Sequence, residues 1–347
     1  MENLLKLMSD KIPLFFECCR PVKGISQGAV FDLQRERYIS VPNDLIDIIT
    51  LGGKKTVSDT IQDFDEDDRS TYQDYLEYLY KLEYIFFVDS DQLNWYPPMN
   101  MDWDHPSEIT NAILEFDTNS KHDLDKIFKG LEDVGCLALE IRIYDEFELD
   151  YLAEILDCAA NTGITSIALK YNYFPGLSSE KIISSTEKKY FNLHSIEVYG
   201  AKKEEISTVS QRVKVLLHED QLLSSTHCGF ISKESFILNK TFFLESMNFN
   251  SCLNRKVVVD VKGQVKNCPA MTEIFGSHHE VSLQNVARES AFQAKWAITK
   301  DEVIVCKSCE FRYVCLDCRA FQANPAEGQL HGKPIKCNYD PLSGEWL

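Results

Sequence analysis

The apolar positions of this chain keep three different rhythms. From Ala29 to Val41 they fall into two strand-like runs, Ala29-Val30-Phe31-Asp32-Leu33 and Arg37-Tyr38-Ile39-Ser40-Val41. The polar Gln34-Arg35-Glu36 between them predicts a hairpin. After Pro42, Leu45, Ile46, Ile48 and Ile49 form one face of a short helix over 43–50, with Asn43 as N-cap and Gly52-Gly53 as stop. Tyr72, Tyr75, Leu76, Leu79 and Leu82 recur at threes and fours and predict a helix over 71–84. A hairpin and two helices in this order are compatible with a winged-helix-like α+β module over residues 1–100, able to grip a peptide as an added strand.

From residue 101 the rhythm becomes strand–helix alternation. Strands are predicted over 110–116, 136–144, 164–169 and 196–199, and helices over 122–134, 146–160 and 178–191. Short connections between such elements imply a parallel sheet with right-handed crossovers. Four repeats are too few to close an eight-stranded barrel, so the fold class is α/β, a partial (β/α) barrel or open parallel sheet over 101–235. From residue 236 regular alternation stops. A hairpin over 256–266, turning at Lys262-Gly263, returns Cys268 toward the entry from Cys252. Beyond Asn324 apolar runs are few and Pro325, Pro334 and Pro341 interrupt the chain. Such a segment buries too little to fold unaided, and a bound metal, worth on the order of 10 kcal/mol, is expected to supply the difference. The third region therefore spans 236–347.

Charge narrows the partners. Across 347 residues, 54 acidic side chains against 36 basic ones give a net charge of −18, and no Lys/Arg block offers a basic face. Nucleic acid is not an expected partner. No run approaches the ~20 apolar residues that span a bilayer, and Met1 to Lys11 has no signal-peptide core, so no membrane is expected and the location reads as cytoplasmic. There the twelve cysteines should be reduced. The run Asp63-Phe64-Asp65-Glu66-Asp67-Asp68 has carboxylates at calcium-loop spacing, with Asp74 twelfth, but Asp68 stands where the turn needs glycine. It reads as a solvated acidic loop. The adjacent Cys18 and Cys19 read as buried thiols, and Cys136 and Cys158 as core.

Seven of the twelve cysteines lie between Cys252 and Cys337. Cys306, Cys309, Cys315 and Cys318 fall in C-x2-C-x5-C-x2-C spacing, and two thiolates separated by two residues can face one metal or one cluster edge. One tetrahedral zinc on these four would leave Cys252, Cys268 and Cys337 unexplained. Two iron–sulfur cubanes need four ligands each, and seven cysteines nearly complete them. Zinc remains the alternative.

Cys252-x10-Gly263-x4-Cys268, the central four and Cys337 together resemble a SPASM domain, the two-cluster auxiliary domain of radical S-adenosylmethionine peptide maturases. The pattern departs once, with two residues rather than three before Cys318. The resemblance implies two 4Fe-4S clusters, the first on Cys252, Cys268 and Cys318, the second on Cys306, Cys309, Cys315 and Cys337. The first would have an open or unidentified fourth position, for which Cys228 is a candidate. The C-x3-C-x2-C triad of radical S-adenosylmethionine enzymes is missing: the loop after Phe116, Asp117 to Lys121, has no cysteine, so no S-adenosylmethionine is expected. A SPASM domain without the triad is similar to the SPASM-domain peptide maturases of grasp-with-spasm systems. Val22-Lys23-Gly24, Val41-Pro42-Asn43-Asp44, Ile109-Thr110-Asn111-Ala112-Ile113, Lys266-Asn267-Cys268-Pro269, Cys309 through Ala320 and Cys337-Asn338-Tyr339-Asp340-Pro341 carry that likeness. It implies a precursor peptide and an ATP-grasp ligase as partners.

Near the cysteines, Arg312 and Arg319 are expected to offset cluster charge, or else to be surface arginines. Phe311 and Tyr313 would shield the clusters or pack in a local core. His278-His279 reads as solvated. His218-Glu219 lacks the second histidine of a zinc-protease helix, and neither a nucleophile elbow nor a phosphate-binding glycine loop is present. Three functions follow: an iron–sulfur protein of ribosomal-peptide maturation that binds precursor or ligase and passes electrons; a redox enzyme binding substrate at an open iron of the first cluster; or a structural zinc protein.

Overall fold

The computed structural model describes the chain except residues 1–7, 51–54, 63, 175–177, 187, 204, 208–211 and 325–330. Its residues form two compact units, one from 1–103, 231–251 and 298–347, the other from 104–230 and 252–297.

In the first unit the early strands are β1 (Ile12–Phe15), β2 (Cys19–Lys23), β3 (Gly28–Asp32), β4 (Arg37–Val41) and β5 (Ile85–Val88). β2, β3 and β4 form an antiparallel meander, and β1 pairs with β5. The predicted hairpin is present as β3–β4. Every residue of β3 is buried, because strand alternation sends its side chains into two cores. Val30 packs with Leu45, Ile46, Ile49, Leu76 and Leu79, the apolar stripes of helices Asn43–Thr50 and Glu66–Lys81. Ala29 and Phe31 face the other way, onto Phe243, Phe311, Val314 and Tyr339. The N-terminal hairpin thus shares a core with the cysteine-rich segments.

Two local expectations are corrected. Asn43 does not cap its helix with Oδ1, which has no hydrogen-bond partner, while Nδ2 donates to the Gly24 carbonyl at 2.9 Å. Asp65 to Asp68 are not a loop: Asp65 caps the helix Glu66–Lys81, its Oδ1 accepting the Asp68 N–H at 2.9 Å. The following carboxylates occupy the first turn, where the helix dipole favours negative charge. Asp63 and Gly52-Gly53 lie outside the described residues.

The second unit is built on one eight-stranded sheet. Its strands are β6 (Asn111–Phe116), β7 (Ala138–Ile143), β8 (Ser166–Asn172), β9 (Leu193–Tyr199), β10 (Glu205–Ser207), β11 (Lys214–His218), β12 (Lys256–Val259) and β13 (Val265–Lys266), in the order β10-β11-β9-β8-β7-β6-β12-β13. Pairings are parallel from β11 through β12 and antiparallel only at the two outer pairs. Helices Leu124–Asp133, Leu149–Ala160 and Ser179–Thr186 connect the strands, so the mixed α/β reading with a parallel-dominated sheet holds. The strands β10 and β11 were not legible in the periodicity.

A charged row crosses this sheet. Arg142 is in register with Glu115 on one side and Lys170 on the other, and Lys170 with Glu197. Arg142 also pairs with Glu140, and Lys170 reaches Glu140 at 3.4 Å and Glu197 at 3.2 Å. Burial alone would push the Glu140 carboxyl up, but Arg142 and Lys170 hold it down at about 2. In Glu115 burial wins and its carboxyl is raised. Among the described residues no helix is long and apolar enough to cross a membrane.

Candidate metal centres

The run after residue 298 makes few regular elements, and its backbone bonds are those of tight turns. The Cys309 N–H donates to the Cys306 carbonyl at 2.9 Å, and the Arg312 N–H to the Cys309 carbonyl at 3.3 Å. Such turns aim the sulfurs of a C-x2-C pair to the same side. Val305, immediately before, has φ 71° and ψ −51°, a conformation that costs a β-branched residue about 1–3 kcal/mol and is held only where its surroundings impose it. Cys337 arrives from a separate segment, fixed by a parallel bridge between Ile231 and Cys337.

Together these segments wall a small cavity of about 20 Å³ lined by Cys306, Cys309, Cys315 and Cys337, with Lys300, Arg312 and Lys333 as its cations and Ile231, Val305, Pro334 and Pro341 among its apolar walls. Burial pushes the Cys306 thiol up to about 12 and raises Cys309 and Cys315 as well. These three thiols hold their protons at neutral pH unless a cationic inorganic core replaces them. Lys300 is 3% exposed, and its Nζ donates to the carbonyls of Cys315 at 2.7 Å and Leu316 at 3.0 Å and to the Cys315 sulfur.

In the second unit, Cys252 and Cys268 are joined by a clasp. Asn267, 5% exposed, donates from Nδ2 to the carbonyls of Leu253 at 3.0 Å and Lys256 at 2.7 Å, tying the Cys252 turn to the strand that leads to Cys268. Lys256 Nζ lies 3.5 Å from the Cys252 sulfur. Burial pulls this ammonium down, but the sulfurs of Cys252, Cys268 and Cys228 outweigh it and leave it above its ordinary value. Burial and the neighbouring Cys252 push the Cys268 thiol up to about 11.

The glycine between these cysteines has a mechanical reason. Gly263 turns the β12–β13 hairpin at φ +76°, and a Cβ there would come within 2.6 Å of His278 Nδ1. His278 is 2% exposed, which corrects the solvated reading. Its Nδ1 bonds the Gly263 carbonyl at 3.0 Å and its Nε2 accepts the Asp123 N–H at 3.1 Å, an arrangement that assigns a neutral ring. Both ring nitrogens are thereby used, so His278 is a clasp and not a free ligand.

The remaining predicted residues take separate places. Cys318, 5% exposed, belongs to the first unit and is not one of the cavity's lining residues. Arg312 lines the cavity, bonding Asp301 at 2.9 Å and the carbonyls of Lys23 and Cys309. Arg319 is buried against Asp317 at 2.6 Å and donates to the Gly332 carbonyl at 3.0 Å. Phe311 and Tyr313 belong to the shared aromatic core, which Cys309 and Cys337 border. Cys136 is core, donating to the Ala138 carbonyl. Lys256 and Lys300 escaped the sequence reading, since a lysine beside apolar residues ordinarily reads as surface.

The spacing of the sulfurs bears on the metal. All twelve cysteines are described and none is joined in a disulfide. One tetrahedral zinc holds its sulfurs about 3.8 Å apart, as a Zn–S length of about 2.3 Å requires. Among the described residues, no three of the C-terminal cysteines have sulfurs within 4.8 Å of one another; the group that does is Cys18, Cys19 and Asp32. Asp32 is already engaged by Arg35 and Arg37 at 3.0 and 3.2 Å, and two guanidinium groups exclude a cation there.

No protein-family model matches the chain, and no curated protein matches it. Among solved structures it is similar to Streptococcus suis SuiB bound to S-adenosylmethionine, at TM-score 0.32 and 11% identity over 89% of this chain and 96% of that one. It is also similar to SuiB bound to the precursor peptide SuiA, at TM-score 0.32 and 10% identity over 89% and 96%. Likeness at these scores carries no argument about what this chain binds or does.

Proposed function

We propose that this chain is an iron–sulfur protein of ribosomal-peptide maturation, holding two 4Fe-4S clusters, binding a precursor peptide or a partner ATP-grasp ligase, and passing electrons. The observation that carries this reading is the cavity in which Cys337 joins Cys306, Cys309 and Cys315 beside a buried ammonium. Four thiols, those of Cys306 and Cys315 buried, and three cations suit an anionic, thiolate-bound core, and these are the four residues that the SPASM resemblance assigns to one cluster. Cys252 and Cys268, with Cys228 acting on the same ammonium, supply further ligands. When bound, such clusters supply one-electron transfer. The chain's own part is to exclude water, give up thiol protons on binding and offset charge.

Cleavage of S-adenosylmethionine is not part of the proposal. The loop after β6 offers no thiolate: within it Asp117 Oδ1 accepts the Asn119 N–H at 2.8 Å, and Ser120 Oγ ties it to the Val261 carbonyl in the β12–β13 turn. The maturation role is tested by calorimetric titration of the cluster-loaded chain with a precursor peptide and an ATP-grasp ligase of a grasp-with-spasm system. Saturable binding of either one is expected. Binding of neither would overturn the maturation role.

A further inference from the structure

Each cysteine group holds a lysine that no metal-binding pattern calls for. At the cavity three cations are present, and two are committed elsewhere. Arg312 is spent on Asp301 and on two backbone carbonyls, and Lys333 Nζ donates to the Tyr339 carbonyl at 2.7 Å. Lys300 alone of the three is hydrogen-bonded to a lining sulfur, that of Cys315. Its ammonium is oriented by the carbonyls of Cys315 and Leu316, and its stem is sealed from water. The nearby carboxylate of Asp317 is itself engaged by Asn250 Nδ2 at 2.8 Å and by Arg319 at 2.6 Å. In the other group, Lys256 reaches the Cys252 sulfur at 3.5 Å, a longer contact than that of Lys300 with Cys315.

Reducing a thiolate-bound cluster adds one electron to a group that is already anionic. A fixed positive charge at one ligand sulfur favours the reduced form, and more so where water is excluded. Hydrogen bonds to sulfur and burial are the protein's means of setting such potentials. We propose that Lys300 is a positioning residue that raises the reduction potential of the cluster bound by Cys306, Cys309, Cys315 and Cys337, and that Lys256 does the same more weakly at Cys252. The couple is one electron per cluster. This inference rests on the iron–sulfur reading above.

The test is an anaerobic potentiometric titration of the reconstituted full chain with dithionite as electron source, followed by visible absorption and electron paramagnetic resonance. Wild type is assayed first for iron and sulfide: failure to hold them sinks the iron–sulfur reading itself. Lys300→Met should keep the wild-type iron content while one couple moves to more negative potential. The oxidised-to-reduced ratio at the original midpoint should rise at least tenfold, which is about 59 mV for one electron. Lys300→Arg, which keeps the charge, should stay within about threefold, and Lys256→Met should move the other couple by less than Lys300→Met moves the first. An unmoved midpoint in iron-loaded Lys300→Met overturns the proposal. If that variant holds no iron, Lys300→Gln is titrated instead. A midpoint lowered by about 59 mV or more there supports the proposal, while an unmoved midpoint or loss of iron leaves Lys300 a purely structural role and overturns it.

Discussion

The two cysteine groups are made of the same chemistry on opposite kinds of scaffold. Cys252 and Cys268 flank a hairpin whose first strand, β12, is paired with β6 in a sheet of parallel strands. Hydrogen bonds and apolar helices hold that scaffold whether or not metal is bound. Cys306, Cys309, Cys315 and Cys337 hang on turns, a bridge and a strained Val305, and depend on an aromatic core borrowed from the N-terminal hairpin. Regular structure can present ligands and remain folded without them. Irregular structure needs either the metal or another segment's core.

The largest effect separates the two groups outright. In metal-free protein, hydrogen exchange should quicken across residues 298–347 while β6 to β9 keep their protection, because a structural site is worth on the order of 10 kcal/mol to the segment that forms around it. Equal loss in both would break the comparison. Next, Phe311→Ala should cost about 3–5 kcal/mol, since Phe311 packs against Phe31, Tyr38, Phe236 and Tyr339. Alkylation rates read by mass spectrometry should rise at Cys306, Cys309, Cys315 and Cys337 and stay unchanged at Cys252 and Cys268.

The converse change is Glu140→Gln, which breaks a mostly buried pair with Arg142 and Lys170 and should cost about 3 kcal/mol in the sheet. Its pH dependence has a definite sign. The folded carboxyl titrates at about 2, below the unfolded value near 4.3, so its stabilisation is complete above that range and is lost as pH falls from about 4.5 to about 2. Acid unfolding followed by circular dichroism should lose part of its slope in that window in the variant; an unchanged profile would refute the assignment. The smallest effect sharpens one turn. Gly263→Ala places a methyl against His278 at positive φ and should cost about 1–2 kcal/mol, with faster exchange confined to the β12–β13 hairpin.

Much of the second unit was legible because each of its elements carries its own local period. The helix at Leu124–Asp133 and the strands β6 to β9 lie within a few residues of where the periodicity puts them. What escaped was set by partners far along the chain. Asp65 to Asp68 read as loop by composition, yet the helix dipole makes those carboxylates a good first turn. His278 read as solvated because nothing nearby in sequence announces Gly263, whose missing side chain makes room for the ring. Lys256 and Lys300 were invisible as functional residues, since only folding brings sulfur to their ammonium groups. The cysteine spacing pointed to the candidate site directly, because short turns fix sulfur directions locally.

The central claim, that these sulfurs hold two iron–sulfur cubanes, is tested most directly by quantifying iron, acid-labile sulfide and zinc in anaerobically reconstituted full-length protein. About eight irons and eight sulfides per chain with no stoichiometric zinc are predicted. One or two zincs with no sulfide would contradict it.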